Sequence, residues 1–154
     1  MGNGARRTLQ IVTGLLVGLA AGCGGGGGST ATYSATKFSA CLTGRDMGPQ
    51  KMDTSPSAER YIDALDRLAG EAARQNGAVQ AFGNDALPEA STLYFLFFKD
   101  ARRAKDGQRR LAKVAREEHA NDRLVTRGNL LTVGPRQTPA QARIVDECLK
   151  ESSA

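Results

Sequence analysis

The feature that most constrains the fold is an uncharged apolar run, TLYFLFF, from Thr92 to Phe98. Its length and its aromatic content are typical of a β-strand. Side chains alternate between the two faces of a strand, so Leu93, Phe95 and Phe97 point to one face and the residues between them point to the other. Both faces are apolar and therefore need cover, and an uncharged edge strand would promote aggregation. The run predicts a central strand with neighbours on both sides.

Two helices are predicted before this strand. A short one is expected at 36–43, where Phe38, Cys41 and Leu42 share one face. A longer one is expected to begin with Ser55 as its cap and Pro56 at its first position, and to end at Asn76-Gly77.

Two more helices are predicted after the strand. The segment 100–120 is amphipathic, with an apolar stripe on one side and basic residues around the other, although Gly107 weakens the pattern. The stripe consists of Ala101, Ala104, Gln108, Leu111 and Ala115. The last helix begins clearly, because Thr138 and Gln141 form the pattern of a capping box and Pro139 occupies the first helical position.

The remaining extended segments complete an α+β pattern. Residues 47–53 are expected to be extended, and LVTRGNLLTV, from 124 to 133, is expected to form two short strands, or one bent strand, around the turn at Arg127-Gly128-Asn129. Helices and strands then alternate along the chain. We expect a single α+β domain over residues 36–154, with helices packed on a small three- to four-stranded sheet.

The first residues follow the pattern of an export signal. MGNGARRTLQIVTGLLVGLAAGC contains two arginines and no acid, then an apolar run from Leu9 to Ala21, then small residues. A helix of about 13 residues would span only ~20 Å, which is short of the ~30 Å hydrocarbon core of a bilayer. A cleaved signal is therefore favoured over a transmembrane helix.

The end of this signal, Leu19-Ala20-Ala21-Gly22-Cys23, resembles the lipobox of bacterial lipoproteins. The resemblance implies that the thiol of Cys23 receives a diacylglyceryl group, that residues 1–22 are removed, and that the new N-terminus can also be acylated, for example by palmitate. The alternative is an ordinary secretory signal that leaves Cys23 as a free thiol. The resemblance ends at Cys23 and implies nothing about the folded part.

A glycine-rich segment follows Cys23. Gly24–Gly28 with Ser29 and Thr30 have the composition of a flexible linker, so residues 23–35 are expected to tether the domain to the anchor. The predicted partner is a membrane, bound through the lipid, and the predicted location is extracytoplasmic at the cell membrane. An envelope protein or an anionic polymer is a further possible partner.

The two other cysteines are predicted to pair. Cys41 and Cys148 each lie on the apolar stripe of a predicted helix, and an exported protein meets an oxidising compartment. Two separate buried thiols are the alternative. If Cys23 is acylated, a Cys41–Cys148 disulfide leaves no cysteine unexplained.

Residues suited to catalysis are few. His119 is the only histidine, so no histidine cluster is available and neither a metal nor a cofactor beyond the lipid is expected. His119 follows two glutamates at a predicted helix end, which is typical of a residue that complements the helix dipole. The acidic pairs Asp63/Asp66 and Asp146/Glu147 are expected to be solvated. A non-enzymatic binding domain is favoured, and a hydrolase that uses His119 with a Ser or a carboxylate is the alternative.

The densest charge lies between Lys99 and Arg116, with eight basic residues against Asp100 and Asp106. One interpretation is binding to anionic lipids or polymers, and the alternative is a solvated helix face. The candidate surface residues are Arg102, Arg109, Arg110, Lys113 and Arg116. Nucleic acid is not an expected partner, because the net charge is only +5, falls to +3 without Arg6 and Arg7, and no aromatic residues interleave the cations.

Overall fold

The computed structural model describes residues 31–45, 47–55, 57–81 and 92–153. The predicted signal peptide, Cys23, the glycine-rich segment, Pro56 and the loop that contains Gly83 and Pro88 lie outside these ranges. The elements, in chain order, are α1 (Ala35–Thr43), β1 (Pro49–Lys51), α2 (Arg60–Gln75), β2 (Gly77–Ala81), β3 (Leu93–Phe97), α3 (Ala101–Glu117), β4 (Arg123–Arg127), β5 (Leu130–Gly134) and α4 (Pro139–Ser152).

The strands form one antiparallel sheet in the order β1-β2-β3-β5-β4. The apolar run is the central strand β3, as predicted, with β2 on one side and β5 on the other. Phe95 faces Val79 of β2 and Thr132 of β5 in the register. The edges of the sheet are the short strand β1 and the strand β4.

Helices cover both faces of the sheet, which confirms the prediction from β3. One face packs against α1 and α4, and its core includes Phe38, Phe95 and Phe97. The rings of Phe38 and Phe95 lie 4.8 Å apart between centroids, in a tilted arrangement that aromatic pairs favour. The other face packs against α2 and α3, and its core includes Leu96 and Phe98. The domain is a single α+β unit with the sheet between two helical layers.

Three other local predictions are confirmed. The segment 124–133 forms two strands, β4 and β5, that pair around Gly128 and Asn129, and Gly128 has the positive φ of 54° that such a turn requires. The α4 capping box is complete, because Thr138 accepts from the backbone N–H of Gln141 and the Gln141 side chain accepts from that of Thr138. Helix α3 covers the predicted segment, and Gly107 is buried against Leu68 and Phe98.

The prediction of three to four strands was wrong, since the sheet has five. Strand β2 was missed because its sequence, GAVQA, follows a helix end and contains only one β-branched residue. It is held in place by pairing with β3 along its full length, which is a tertiary interaction.

The predicted start of α2 was also wrong. The helix begins at Arg60, with Glu59 in the cap position and no side-chain capping bond. The Ser55 hydroxyl instead donates to Asp53 Oδ1 at 2.8 Å, and the Ser55 backbone N–H donates to the same oxygen at 3.0 Å. Ser55 therefore belongs to a local turn that competes with capping.

Candidate functional site

The first described residues are fastened to one end of the sheet. At this end β2 begins at Gly77, β3 ends at Phe97, β4 ends at Arg127 and β5 begins at Leu130. We call it the entry end, because Ala31 and the residues after it enter the fold here. The opposite end, where β3 and β4 begin, is called the distal end. If Cys23 is anchored in a membrane, the entry end is therefore the part of the domain that the anchor would hold nearest to it.

Asn129 holds the entering chain in place. It is 1% exposed, and its Oδ1 accepts from the Tyr33 backbone N–H at 2.7 Å. Its Nδ2 donates to the Tyr33 carbonyl at 3.1 Å and to the Phe98 carbonyl at 2.8 Å. Sequence reasoning identified Asn129 only as a turn residue, since nothing in the local pattern shows which carbonyls its side chain reaches.

Further contacts join the N-terminal segment to the C-terminal helix. Tyr33 and Ser153 form an antiparallel bridge, and the Ser34 N–H donates to the Ser152 carbonyl at 3.0 Å. Ala35 is buried and begins α1. Residues 31–35, which the sequence places in the tether, are thus bonded to the fold.

The Cys41–Cys148 disulfide is formed, as predicted. It joins α1 to α4 with 5.5 Å between the Cα atoms and a sequence separation of 107 between the two cysteines. Cys148 is fully buried, and Cys41 packs against the same core. With three cysteines in the chain, this bond leaves Cys23 as the remaining thiol.

The five basic residues proposed as one surface are divided by the structure. Arg109 pairs with Asp106 in the same helix, and Arg110 pairs with Glu71 of α2 at 2.6 Å. Within the described ranges, Arg102, Lys113 and Arg116 form no salt bridge. Arg102 lies in the first turn of α3 at the entry end and Arg116 in its last turn, ~21 Å further along the axis.

An open groove of about 860 Å³ lies at the distal end, between the C-terminal half of α3 and β4. Arg109, Arg116 and His119 line it together with Asp122 and Leu124. The Gln108 side chain donates to the Leu124 carbonyl at 2.7 Å and so provides a hydrogen bond to one carbonyl of the edge strand β4. The groove combines cations, a carboxylate and apolar surface, a combination that suits binding of a polar ligand or peptide.

His119 is exposed at the rim of this groove, with a positive φ of 54°. In the part of the chain that the structure describes, its ring makes no hydrogen bond. A general base needs a partner within hydrogen-bond reach and a second group that orients it. Among the described residues, neither such group is hydrogen-bonded to the His119 ring.

A partly buried acid–phenol pair, Tyr61 and Asp122, lies at the wall of the groove. The Tyr61 hydroxyl donates to Asp122 Oδ2 at 2.8 Å. Burial, followed by Asp122, raises the pKa of Tyr61, and the same two causes raise the pKa of Tyr94. Both phenols therefore stay protonated, and the pair orders the loop before β4.

The acidic pairs are not all solvated as predicted. Asp66 is only 8% exposed, and burial, followed by the charges of Asp53 and Asp63, raises the pKa of its carboxyl. Asp63 pairs with Arg67 at 2.8 Å, and Asp146 pairs with Arg127. The expectation for Asp66 failed because it assumed that the side of α2 away from the main stripe meets only water.

Among the described residues, no group of three or more His, Cys, Asp or Glu side chains is placed to hold a metal ion. No helix in the same ranges is long and apolar enough to cross a membrane.

The fold and the groove define an α+β domain with a candidate binding surface. Comparison with protein families, with characterised proteins and with solved structures found no match to this chain. Any proposal about its function therefore depends on its own residues.

Proposed function

We propose that this chain is a lipid-anchored protein of the bacterial envelope whose extracytoplasmic domain acts by binding a partner. Cys23 would carry the diacylglyceryl group, with or without a further acyl chain, after removal of residues 1–22. The glycine-rich segment would connect this anchor to the domain, and the groove at the distal end would be the surface that a partner contacts.

The disulfide carries this proposal. A Cys41–Cys148 bond is expected in a chain that matures outside the reducing cytosol, and it consumes the only other cysteines. The lipobox resemblance supplies a chemical fate for the thiol that remains. The entry of the chain at Ala31, close to Cys23 in sequence, supports a domain held near the anchor.

Binding is proposed rather than catalysis because of the surroundings of His119. A hydrolase would need a nucleophile and an orienting group near that ring, and the described residues around it provide no hydrogen bond. The groove instead has Arg116 and Asp122 on its walls, which can pair with charges on a partner.

The anchor is tested by the intact mass of the protein extracted from membranes, measured before and after reduction and thiol alkylation. The expected chain begins at an acylated Cys23, and two further thiols become alkylated only after reduction. A Cys23→Ser variant, which keeps the apolar run, is the matched control and should carry no lipid. A chain without lipid, or thiols that alkylate before reduction, would contradict the proposal.

A further inference from the structure

The entry end of the domain carries several exposed cations without a salt bridge to any described residue. Three of them, Lys99, Arg102 and Arg103, follow β3 directly at this end. Lys37 lies in the first turn of α1, and Lys150 in the last turn of α4. Lys37 and Lys150 are far from Lys99, Arg102 and Arg103 in the sequence, and the tertiary structure gathers all five around the point where Ala31 enters the fold.

Several contacts show that these elements meet at the entry end. Lys150 lines a cavity together with Ala31 and Tyr33. The Lys99 N–H donates to Gln75 Oε1 of α2 at 2.9 Å. The first turn of α1 packs so closely on the start of β2 that a Cβ on Gly77 would lie 2.4 Å from the Cβ of Ala35.

Three of these cations occupy positions that are unfavourable for the domain itself. Lys37 is in the first turn of α1, and Arg102 and Arg103 are in the first turn of α3. The N-terminus of a helix carries partial positive charge, so a cation there opposes the helix dipole. Neither first turn contains an acid, and only the cap residue Asp100 offsets the charge of α3. Local stability therefore does not explain this placement.

Several acids lie toward the opposite end, whereas the acids nearest the entry end are already engaged: Asp100 caps α3 and Glu151 pairs with Arg45. Glu117 and Glu118 end α3 beside the start of α2, where both pair with Arg60. Asp122 precedes β4, and Asp63 lies in the first turn of α2. Lys113, Arg116 and Arg123 also lie toward the distal end and form no salt bridge to a described residue. Cations without a salt bridge thus lie at both ends of the domain, and at the entry end the nearby acids are already engaged by other groups.

The chain between Cys23 and Ala31 also favours the entry end. Seven residues lie between the two positions, and the eight Cα–Cα steps that join them can span at most ~28 Å. A domain of this size has a radius of gyration of ~14 Å, which corresponds to a diameter of roughly 35 Å. The entry end can therefore touch a bilayer that holds Cys23, whereas contact through the distal end exceeds this reach.

We propose that Lys37, Lys99, Arg102, Arg103 and Lys150 form a docking surface for an anionic lipid bilayer, which turns the distal groove away from the membrane. This inference rests on the proposed lipid anchor for its geometry. This surface takes the place of the one predicted from the sequence along the whole of α3. Arg109 and Arg110 are already paired, and Lys113 and Arg116 lie near the distal end.

The test is lysine acetylation of the membrane-extracted protein, reconstituted into vesicles of phosphatidylcholine with or without phosphatidylglycerol. The modification rate of each lysine is read by mass spectrometry. We expect Lys37, Lys99 and Lys150 to be protected only on the anionic vesicles, and protection to be lost at high salt, where the Debye length is short. Lys113, at the other end of α3, serves as an internal control and should react equally on both vesicles.

A pair of matched variants removes the same charge from the two ends. The entry-end variant is Lys99→Gln with Arg102→Gln and Arg103→Gln, and the distal variant is Lys113→Gln with Arg116→Gln and Arg123→Gln. Each cation near an anionic surface is worth about a fivefold change in the binding equilibrium, so three should change the ratio of docked to undocked protein about a hundredfold. The distal variant should retain the protection of Lys37 and Lys150.

Equal protection of Lys113, or equal loss in both variants, would overturn the docking surface. So would protection on neutral vesicles. The intact mass shows independently whether the anchor is present. If Cys23 carries no lipid, the same footprint on an excess of anionic vesicles still decides whether the entry end is the surface that contacts them.

Discussion

Replacement of Asn129 by alanine tests the main structural claim, that one buried amide fastens the entering chain to the sheet. The side chain makes three hydrogen bonds, two to the backbone of Tyr33 and one to that of Phe98. Each such bond contributes ~1 kcal/mol net, and the loss leaves buried backbone groups unsatisfied. We expect Asn129→Ala to lower the free energy of unfolding by ~3 kcal/mol and the Tm by about 10 °C.

The assay is urea unfolding of the oxidised protein, followed by circular dichroism. Asn76→Ala is the matched control, because Asn76 Nδ2 also donates to the Tyr33 carbonyl, at 2.9 Å, but is exposed. That variant should lose less than ~1 kcal/mol. Asn129→Asp keeps the acceptor for the Tyr33 N–H and loses both donors. Its free energy of unfolding should therefore lie between those of the two alanine variants if the buried carboxyl is neutral. If the carboxyl keeps its charge, the free energy of unfolding should be lower than that of either alanine variant. Equal losses for Asn129→Ala and Asn76→Ala would refute the argument.

Three further predictions concern stability. Reduction of Cys41–Cys148 should destabilise the domain by up to ~4 to 5 kcal/mol, since the bond closes a loop of 107 residues, and unfolding with and without reductant checks this. Gly77→Ala should cost ~3 kcal/mol, because Gly77 has φ +142° and a Cβ there would meet Ala35; an unchanged urea midpoint would contradict it. Burial raises the pKa of Asp66, so ionisation of its carboxyl above that pKa weakens the fold. Asp66→Asn should therefore have a higher free energy of unfolding than the parent at pH 7. This difference should vanish as the pH falls below 3.8, the ordinary pKa that the carboxyl has in the unfolded chain.

The local elements that could be predicted are those with a local physical cause. Helix α4 begins at Pro139 because its cap, from Thr138 to Gln141, is completed within four residues. The apolar run of β3 required cover on both faces, and its central place in the sheet followed. Cys41 and Cys148 could be paired because each lies on an apolar helical stripe in a chain expected to be exported.

The features that could not be predicted depend on partners distant in sequence. Strand β2 exists because β3 supplies its hydrogen bonds, and GAVQA alone has no strong strand signal. Asp66 is buried although its neighbour Arg67 is exposed and pairs with Asp63. Both were misjudged because sequence periodicity describes one element at a time.

The cations show most clearly which features the sequence determines and which only the tertiary structure determines. The sequence by itself determined the number of charges, the amphipathic character of α3 and the position of Cys23 shortly before the folded part. It grouped Lys99–Arg116 as one basic segment because these residues are consecutive. Only the tertiary structure decided that Lys99, Arg102 and Arg103 share an end with Lys37 and Lys150, because antiparallel strands and the helices that connect them bring distant termini together.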